Sequence, residues 1–380
     1  MSLPAWLAPL AELPAVRAAR TRLASTGRAD LGGLPGALRG FLSLLLVDGP
    51  LLVVVPRERD VEETAQDLRT LAAAAGTPGA VLALPAPGPP PFRGLPRHAD
   101  AQARRAAALH RARSARAVVA SPFGLLRPSL APHLLATRVL HVSVGDEMTP
   151  EILLEALDEG GYAREDPVTA PGQVARRGGI LDVFPSDATE PVRIELFADT
   201  VESLRRFDPD TQRATAAIES IETLPLADLF ATRSLLAALP EVLKRRFGDQ
   251  RELAPFLEAL ERGLAPDALV ELLPLVPGAT VPPWQHLPKG SVVLVEPEAV
   301  RQEADGLLAR AREDRGRRSE GLLPEVAEAL VAPEAFLEFL AGSPVVALRE
   351  LQTEGEALHV AGRPAPSYAG DVTRLGVDLR

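Results

Sequence analysis

Hydrophobic and polar positions follow two periods in the first third of the chain, one helical and one typical of buried strands. Apolar residues recur at helical spacing over residues 10–24, after Gly36, and again from residue 61 to Gly76. Between these segments, LLVVV at Leu51–Val55 and AVVAS at Ala117–Ser121 are short continuous apolar runs. Runs of this kind are typical of strands covered on both faces. The pattern therefore predicts a parallel α/β sheet of the doubly wound type.

Two local signals refine this part of the chain. Asp60 is placed to cap the helix that ends near Gly76. The Pro-rich segment from Ala83 to His98 is expected to form neither helix nor central strand. It is therefore predicted to be an extended loop, followed by an Ala- and Arg-rich helix that ends near Arg113.

The pattern changes near Val139, where closely spaced short strands replace the alternation of helix and strand. Thr149 precedes Pro150 and Glu151, which is good capping chemistry for a single helix. Three β segments follow it, GGILDVFP, PVRIELF and TVESLRRFD. Short neighbouring strands with one helix predict a small α+β domain inserted into the sheet domain.

From residue 225 the pattern is mostly helical, with a Pro-rich interruption before the apolar strand SVVLVEPE at Ser291–Glu298. The last residues, DVTRLGVDLR, look like the first turns of another helix, so we expect a longer protein to continue from them. The predicted domains are residues 1–138 and 225–345 for the two parts of the sheet domain, 139–224 for the inserted domain, and 346–380 for a return strand with the truncated start of a following domain.

Composition then excludes several function classes. The chain is 46% apolar and 24% charged and has no apolar run as long as the roughly 18 to 20 residues of a membrane span. The N-terminus lacks the order of a signal peptide, there is no Cys, and the six His include no pair at a helical ligand spacing. We therefore expect a cytoplasmic protein without membrane contact, disulfides or a metal site.

The net charge of −10 repels a DNA backbone unless the basic residues cluster. Only two of the 41 basic residues are Lys, and the chain has 37 Pro, which indicates a GC-rich coding bias. A single Arg is therefore less informative in this sequence than in most.

The stretch LGGLPGALRGFLSLLLVDGPLLVVVP has the outline of a phosphate-binding loop followed by a helix and a strand. Such a loop, GxxxxGK(S/T), wraps phosphate with backbone N–H groups, reaches it with Lys and binds Mg²⁺ through a hydroxyl. The corresponding positions here are Gly33, Gly36, Leu38, Arg39 and Gly40. Leu38 is bulky where the backbone must approach phosphate, Arg39 replaces a compact ammonium, and Gly40 has no Mg²⁺ ligand. The loop is predicted to be inactive.

The second half of an ATP site would be a buried strand that ends in an Asp-Glu pair. The best candidate is VVLVEPE, in which Glu296 is present but Val295 stands in the place of the Asp. On these two segments alone, a turn and a strand unrelated to nucleotide are the favoured interpretation. No catalytic residue is predicted.

A different segment carries a family resemblance. RRGGILDVFPSDATEPVRIELFADTVESLRRFDPDTQRA, Arg176–Ala214, closely resembles the small second domain shared by UvrB and the transcription-repair coupling factors. VGDEMTPEILLEALDEGGYAREDPVTAPGQVA, VVASPFGLLRPSLAP and the end of the chain fit the same family, and the resemblance is weakest over Arg233–Leu287. UvrB keeps an intact nucleotide loop, whereas the N-terminal UvrB-homology module of the coupling factors has a degenerate one. The chain therefore resembles that module, which implies a degenerate helicase-like (RecA-type) parallel-sheet domain split by a small α+β domain.

The resemblance implies recruitment of a repair enzyme. In the family, the small domain binds UvrA, the damage-recognition ATPase, where a motor has displaced a stalled RNA polymerase. RNA polymerase and double-stranded DNA are bound, and ATP and Mg²⁺ used, by regions absent from this chain, so no cofactor is expected in it. The family also implies that a C-terminal domain, likewise absent, can mask the UvrA-binding surface.

The residues of the family that contact UvrA are two Arg and one aromatic. By the resemblance they fall on Arg177 in RRGG, and on Arg193 and Phe197 in PVRIELF. All three residue types are retained. These three positions are therefore the predicted UvrA-binding residues.

The alternation within VRIELF agrees with that assignment. It places Ile194 and Leu196 on one face and Arg193, Glu195 and Phe197 on the other. A Phe on a charged face is a candidate exposed anchor, and Arg with an aromatic is the usual composition of an interface hot spot. The alternative is that Phe197 tucks under the turn that follows while both Arg pair with nearby acids.

Three functions therefore remain open. The first is a catalytically inactive scaffold that presents a UvrA-binding domain. The second is a UvrB-like enzyme that binds ATP and damaged DNA, which would require Arg39 to act for Lys; the 11 Phe, 2 Trp and 2 Tyr form no aromatic-rich hairpin for insertion into DNA. The third is a DNA-binding module, for which Arg205, Arg206 and Arg213 either widen a basic patch or form a solvated strand face.

Overall fold

The computed structural model describes residues 8–36, 38–76, 79–95, 98–248, 250–266, 268–318, 321–351, 357–360 and 362. The helix expected at the end of the chain lies outside these residues. So does most of the predicted following domain.

The helices are short to medium in length, and 3₁₀ turns follow or precede several of them at Ala112–Ser114, Ala136–Arg138, Leu273–Leu275 and Pro283–His286. In chain order the α-helices are α1 (Ala8–Ala11), α2 (Pro14–Thr26), α3 (Leu38–Leu46), α4 (Asp60–Ala74), α5 (Ala99–Arg111), α6 (Pro122–Leu125), α7 (Pro132–Leu135), α8 (Pro150–Glu159), α9 (Arg233–Phe247), α10 (Leu253–Glu261), α11 (Leu269–Leu272), α12 (Pro297–Arg317), α13 (Val326–Ala329) and α14 (Pro333–Ala341).

The strands form two main sheets and two short pairs. In chain order they are β1 (Arg28–Gly32), β2 (Leu51–Val54), β3 (Val81–Leu84), β4 (Ala117–Ala120), β5 (Ser129–Leu130), β6 (Leu140–Ser143), β7 (Ala163–Arg164), β8 (Gln173–Arg177), β9 (Ile180–Val183), β10 (Val192–Phe197), β11 (Thr200–Phe207), β12 (Ala214–Ile218), β13 (Ser220–Thr223), β14 (Thr280–Val281), β15 (Ser291–Val295), β16 (Val345–Leu348) and β17 (Leu358–His359).

A seven-stranded parallel sheet forms the body of the molecule, in the order β17-β1-β16-β15-β2-β4-β3. Its central strands are apolar throughout because helices cover both faces. In β2, Leu51 and Val53 belong to one core with α2, α3 and α4, whereas Leu52 and Val54 belong to the other with α5, α9 and α12. The predicted α/β fold class with a parallel sheet is confirmed.

Two local predictions for this sheet need correction, and two of its strands, β1 and β3, were not predicted. Asp60 is the first residue of α4 and makes no side-chain cap hydrogen bond; Arg59 occupies the cap position. The Pro-rich segment predicted as a loop begins at Ala83, but Ala83 and Leu84 are the last two residues of β3. Strand β3 lies at the edge of the sheet, where prolines directly after a strand are tolerated. Strand β1 was not predicted, since RADLG is short and only partly apolar.

A second, six-stranded sheet has the order β12-β11-β10-β9-β8-β7. The three strands predicted in this region are β9, β10 and β11, whereas β7, β8 and β12 were not predicted. One face packs on α8, where Leu153 and Leu157 join Leu181, Ile194 and Leu204 in one core. As predicted, Thr149 caps this helix, since its hydroxyl accepts a hydrogen bond from the N–H of residue 152.

All strands of the second sheet lie between β4 and β15 in the sequence, so the chain leaves the parallel sheet and later returns to it. Strands β6 and β13 pair with each other at the two ends of this excursion. The boundaries predicted at residues 139 and 224 lie just outside this strand pair and remain predictions. The boundary predicted between residues 345 and 346 falls at the first residue of β16, which lies inside the parallel sheet.

A buried arginine joins the segment that follows β13 to the parallel-sheet part of the molecule. Arg105 of α5 is fully buried, and its Nε donates to Asp228 Oδ2 at 2.7 Å. The remaining guanidinium groups donate to the carbonyls of Pro85, Gly124 and Arg127 at 2.7 to 2.9 Å. A buried charge with this many partners fixes the relative positions of the segments it joins.

Candidate functional site

The second sheet has one face on α8 and one face turned away from it, and all three predicted contact residues lie on the latter. Arg177 and Glu195 are both opposite the same residue of β9, and directly opposite residues share a face. Arg193 and Phe197 lie two residues before and after Glu195 and therefore share that face. The Cα atoms of the three predicted residues are on the order of 12 to 14 Å apart from strand geometry. We call the surface formed by Arg177, Arg193, Glu195 and Phe197 the open face.

Phe197 is the most exposed large hydrophobic residue of this sheet. It ends β10, and its relative exposure is 76%. The next residue, Ala198, turns the chain with a left-handed φ of 50°. The side chain therefore does not tuck under the turn, and the exposure predicted from the strand alternation is observed.

Arg193 is held in two directions. Its Nε and Nη2 donate to the two carboxylate oxygens of Asp182, both at 2.7 Å, and Asp182 is only 2% exposed. The guanidinium carbon also lies 4.9 Å from the ring centroid of the buried Phe207, in cation–π contact. The hydrogen bond to Asp182 raises the pKa of Arg193 above its ordinary value.

Arg177 is held in the same side-on manner near the edge of the sheet. Its Nε donates to Asp166 Oδ2 at 3.1 Å, and its Nη2 donates to Oδ1. This pair raises the pKa of Arg177 and lowers that of Asp166. Both arginines are thus paired with acids, as the alternative interpretation expected, although Phe197 is exposed. Their role in binding UvrA remains a prediction.

The glycines of RRGG explain how Arg177 and the end of β10 come together. Gly178 and Gly179 form the two-residue turn between β8 and β9, and Gly178 has φ of 64°. A Cβ on Gly179 would lie 2.8 Å from the carbonyl oxygen of Leu196, and the Gly179 carbonyl accepts a 2.8 Å hydrogen bond from the Leu196 N–H. The turn therefore packs directly against the residue before Phe197.

Neighbouring arginines in this domain have different surroundings. Arg176 lies on the opposite face from Arg177 and pairs with Glu151 of α8 at 2.6 Å. Arg205 lies opposite Arg193 on the open side, whereas its neighbour Arg206 lies on the other face. Arg205 and Arg206, which were considered for one basic patch, therefore lie on opposite faces of the sheet.

Sequence reasoning did not identify Asp166 and Asp182 as part of this face. Asp182 could have been noticed as the single charged residue in the apolar strand ILDV. Asp166 offered no such signal, because it lies in the loop after β7, where a charged residue is unremarkable. Only the tertiary fold brings it to Arg177.

The loop that resembles a nucleotide site lies at the edge of the parallel sheet. Gly33 has φ of 79°, and a Cβ there would lie 2.2 Å from the Val360 carbonyl oxygen and 2.6 Å from His359 Cε1. The absence of a side chain at Gly33 leaves room for β17 to approach this closely. Gly36 also has a positive φ, of 52°, but has open space around it.

Arg39 occupies a cleft of about 630 Å³ at the carboxyl ends of β2 and β15. Its Nη1 lies 2.8 Å from Glu296 Oε1 and 3.5 Å from Glu350 Oε2. Glu296 Oε1 also accepts a 2.6 Å hydrogen bond from the Glu350 N–H. Glu296 has φ of 51°, which is strained for a residue with a side chain. The charge of Arg39 is therefore matched by carboxylates of the chain itself.

Besides Arg39, the cleft is lined by acidic and apolar side chains together with Arg57, Ser43 and Thr64. Asp60, Glu63 and Asp67 of α4 line one side, and Val295, only 8% exposed, lines another. Among the described residues, no group of three or more His, Asp or Glu is arranged to hold a metal ion. None of the helices in the described part is long and apolar enough to cross a membrane.

Comparison with known proteins identifies the inserted region first. Residues 140–229 match the family model of the UvrB interaction domain. This match contains β6 to β13 and hence the whole open face.

Longer matches extend over the parallel sheet. The chain is 35% identical over 295 residues to the transcription-repair-coupling factor of Mycobacterium tuberculosis, which covers 71% of this chain and 23% of that protein. It is 38% identical over 113 residues to the coupling factor of Bacillus subtilis, covering 30% of this chain and 10% of the relative. The coupling factor of Escherichia coli is 28% identical over 198 residues, or 50% of this chain and 17% of the relative.

The chain thus spans about a quarter or less of the length of these curated relatives. The parallel sheet, the second sheet inserted in it and the matched interaction domain agree with the resemblance seen in the sequence. The chain is therefore similar over most of its length to transcription-repair-coupling factors, and this similarity supports its identification with their N-terminal, UvrB-homologous module.

Proposed function

We propose that this chain is a non-catalytic recruiting module that binds UvrA through the open face in transcription-coupled nucleotide-excision repair. The observation that carries the proposal is Phe197, which is 76% exposed on a UvrB interaction domain, on the same sheet face as two arginines held in place by acids. Contacts with RNA polymerase and double-stranded DNA would belong to other regions of a longer protein. The role fits the cytoplasm, where repair and transcription meet.

The chemistry of the open face suits a protein partner. Burying one exposed Phe contributes roughly 1.5 to 3 kcal/mol, and Arg and aromatic residues are the usual anchors of an interface. Arg177 and Arg193 add N–H donors in fixed positions around it. Nothing comparable favours a nucleic acid, because the acids on the same face offset the positive charge of the arginines.

The non-catalytic part of the proposal is supported by the cleft at Arg39. A triphosphate would have to replace Glu296 and Glu350 as partners of Arg39, in a cleft whose α4 wall is acidic. Leu38 and Val295 supply neither the backbone approach nor the carboxylate that a Mg²⁺-bound nucleotide requires. The residues of this cleft therefore do not fit a Mg²⁺-bound nucleotide.

A nucleotide titration separates this module from a UvrB-like enzyme. We expect no saturable ATP binding in the micromolar range, with or without Mg²⁺, and no hydrolysis by the purified chain. Saturable binding accompanied by Mg²⁺-dependent hydrolysis would establish the enzymatic alternative instead.

Binding to purified UvrA tests the recruiting function. We expect the chain to bind UvrA and each of Arg177→Ala, Arg193→Ala and Phe197→Ala to weaken the complex by roughly 1 to 3 kcal/mol, the usual effect of truncating a hot-spot residue. Unchanged affinity in all three variants would remove the open face from the interface. Absence of binding by the unsubstituted chain would contradict the function itself.

A further inference from the structure

Two carboxylates hold the arginines of the open face in the same way. Asp166 engages Nε and Nη2 of Arg177, and Asp182 engages Nε and Nη2 of Arg193. Within the described part of the chain, no hydrogen bond uses Nη1 of either arginine. Each side-on pair therefore fixes the plane of a guanidinium and leaves three of its five N–H groups, two of them on Nη1, for another acceptor.

We propose that Asp166 and Asp182 are positioning residues for partner binding, which act through Arg177 and Arg193. The inference rests on the proposed function of the open face. An unrestrained arginine samples many rotamers and loses that freedom when it binds, whereas a guanidinium already held in one plane loses less. The acids thus hold the arginines in the orientation required for binding without contacting the partner themselves.

Asp166 is the more informative of the two acids because its pair is exposed. The side chains of Asp166 and Arg177 are 54% and 47% exposed, and exposed ion pairs add little to folding stability. Asp182 is instead buried beneath Arg193, so its removal is expected to disturb the fold as well. Substitution of Asp166 therefore separates positioning from stability.

The experiment is a double-mutant cycle on the full chain with purified UvrA. Asp166→Ala is expected to weaken binding about 3- to 10-fold in the unsubstituted chain but less than 2-fold when Arg177 is already Ala, because the acid acts only through that arginine. Asp166→Glu, which keeps a carboxylate, is expected to weaken binding less than Asp166→Ala. The thermal unfolding midpoint of Asp166→Ala should stay within about 2 °C of the unsubstituted chain.

The same domain contains a matched control. Asp158 holds Arg164 in the same side-on geometry, through Nε and Nη2, in an exposed pair that involves no residue of the open face. Asp158→Ala is therefore expected to leave UvrA binding unchanged within 2-fold.

The outcomes distinguish this inference from the proposed function. If Arg177→Ala weakens binding but Asp166→Ala binds as tightly as the unsubstituted chain or tighter, Asp166 does not position the arginine. Equal losses from Asp166→Ala with and without Arg177 would show that the acid acts by another route, which also overturns the proposal. If the unsubstituted chain does not bind UvrA, the proposed function itself fails.

Discussion

Arg39 lies where a nucleotide-binding loop would carry lysine, and its contacts explain what that position does in this chain. The guanidinium joins the start of α3 to Glu296 after β15 and to Glu350 after β16. Both contacts are made by Nη1, so one nitrogen of the guanidinium serves the two carboxylates. The substitution at the loop therefore has a structural use across three segments of the sheet.

Replacing Arg39 should consequently cost stability. Arg39→Ala leaves Glu296 without its cation in a partly buried site, and we expect a loss of about 1 to 2 kcal/mol in the free energy of unfolding measured with urea. Arg310→Ala, which removes a more exposed arginine 3.9 Å from Glu303, is the control and should change the value by less than about 0.5 kcal/mol. Equal effects of the two variants would contradict a bridging role for Arg39.

For single residues, the sequence predicted which side chains share a strand face better than it predicted which residues they contact. The alternation of VRIELF grouped Phe197 with Arg193 and Glu195 on one strand face. It left open whether Phe197 is exposed or tucks under the following turn, and the structure shows it exposed. Asp166 beside Arg177 could not be predicted, since it comes from a loop. Asp182 carried a signal as the one charged residue of its strand, but its pairing with Arg193 depends on the antiparallel register of β9 and β10. The link from Arg39 to Glu296 likewise requires the parallel register of β2 and β15.

At the scale of elements, the β8–β9 hairpin is what brings the open face together. Its Gly-Gly turn packs on the backbone of β10, so the position of Arg177 depends on a contact made by Gly179. Strand β8 itself was missed in the sequence because QVARR has few apolar residues. Its pairing with β9, more than its own composition, stabilises it as a strand.

This dependence can be tested at the turn. In Gly179→Ala the new methyl would meet the carbonyl oxygen of Leu196 at 2.8 Å, so the hairpin must shift. We expect a loss of about 1 to 3 kcal/mol of stability, as for overpacked sites, together with weaker UvrA binding. Gly49→Ala, where nothing lies within 4 Å of the added Cβ, should change stability by no more than about 0.5 kcal/mol. A Gly179→Ala chain as stable and as active in binding as the Gly49→Ala chain would refute the account of the turn.

At the scale of the whole molecule, the fold class followed from the sequence because helical segments separated by fully apolar strands have few alternatives. The order of the strands did not, since β1, β16 and β17 come together from opposite ends of the chain. Arg105 and Asp228 are also far apart in the sequence, so their ion pair was not predicted. Both features depend on where the chain re-enters the sheet after the inserted domain.

The body of the molecule should also respond to acid through one buried histidine. His286 is 3% exposed, and its Nε2 lies 3.0 Å from both Ser129 Oγ and the Leu130 carbonyl oxygen. Burial lowers the pKa of His286 from 6.5 to about 4. Its contribution to stability is therefore complete above pH 6.5 and is lost as the pH falls toward 4, because the unfolded chain binds the proton first.

Urea unfolding at pH 7 and pH 5 measures this contribution. The loss between the two values should be smaller by about 2 kcal/mol in His286→Gln than in the unsubstituted chain, since the variant cannot titrate at this position. Using the difference between the two chains removes the effect of carboxylates common to both. The same pH dependence in both chains would show that His286 is not responsible.

Binding of UvrA to the open face, with Phe197 as the anchor, can be measured in a single affinity experiment. UvrA is titrated with the unsubstituted chain, with Phe197→Ala and with Leu264→Ala, whose residue is 59% exposed and lies outside the UvrB interaction domain. We predict a saturable complex that Phe197→Ala weakens by roughly 1 to 3 kcal/mol and that Leu264→Ala leaves unchanged. Equal affinity of all three chains would exclude Phe197 as the anchor, and no complex with any of them would exclude UvrA binding by this chain.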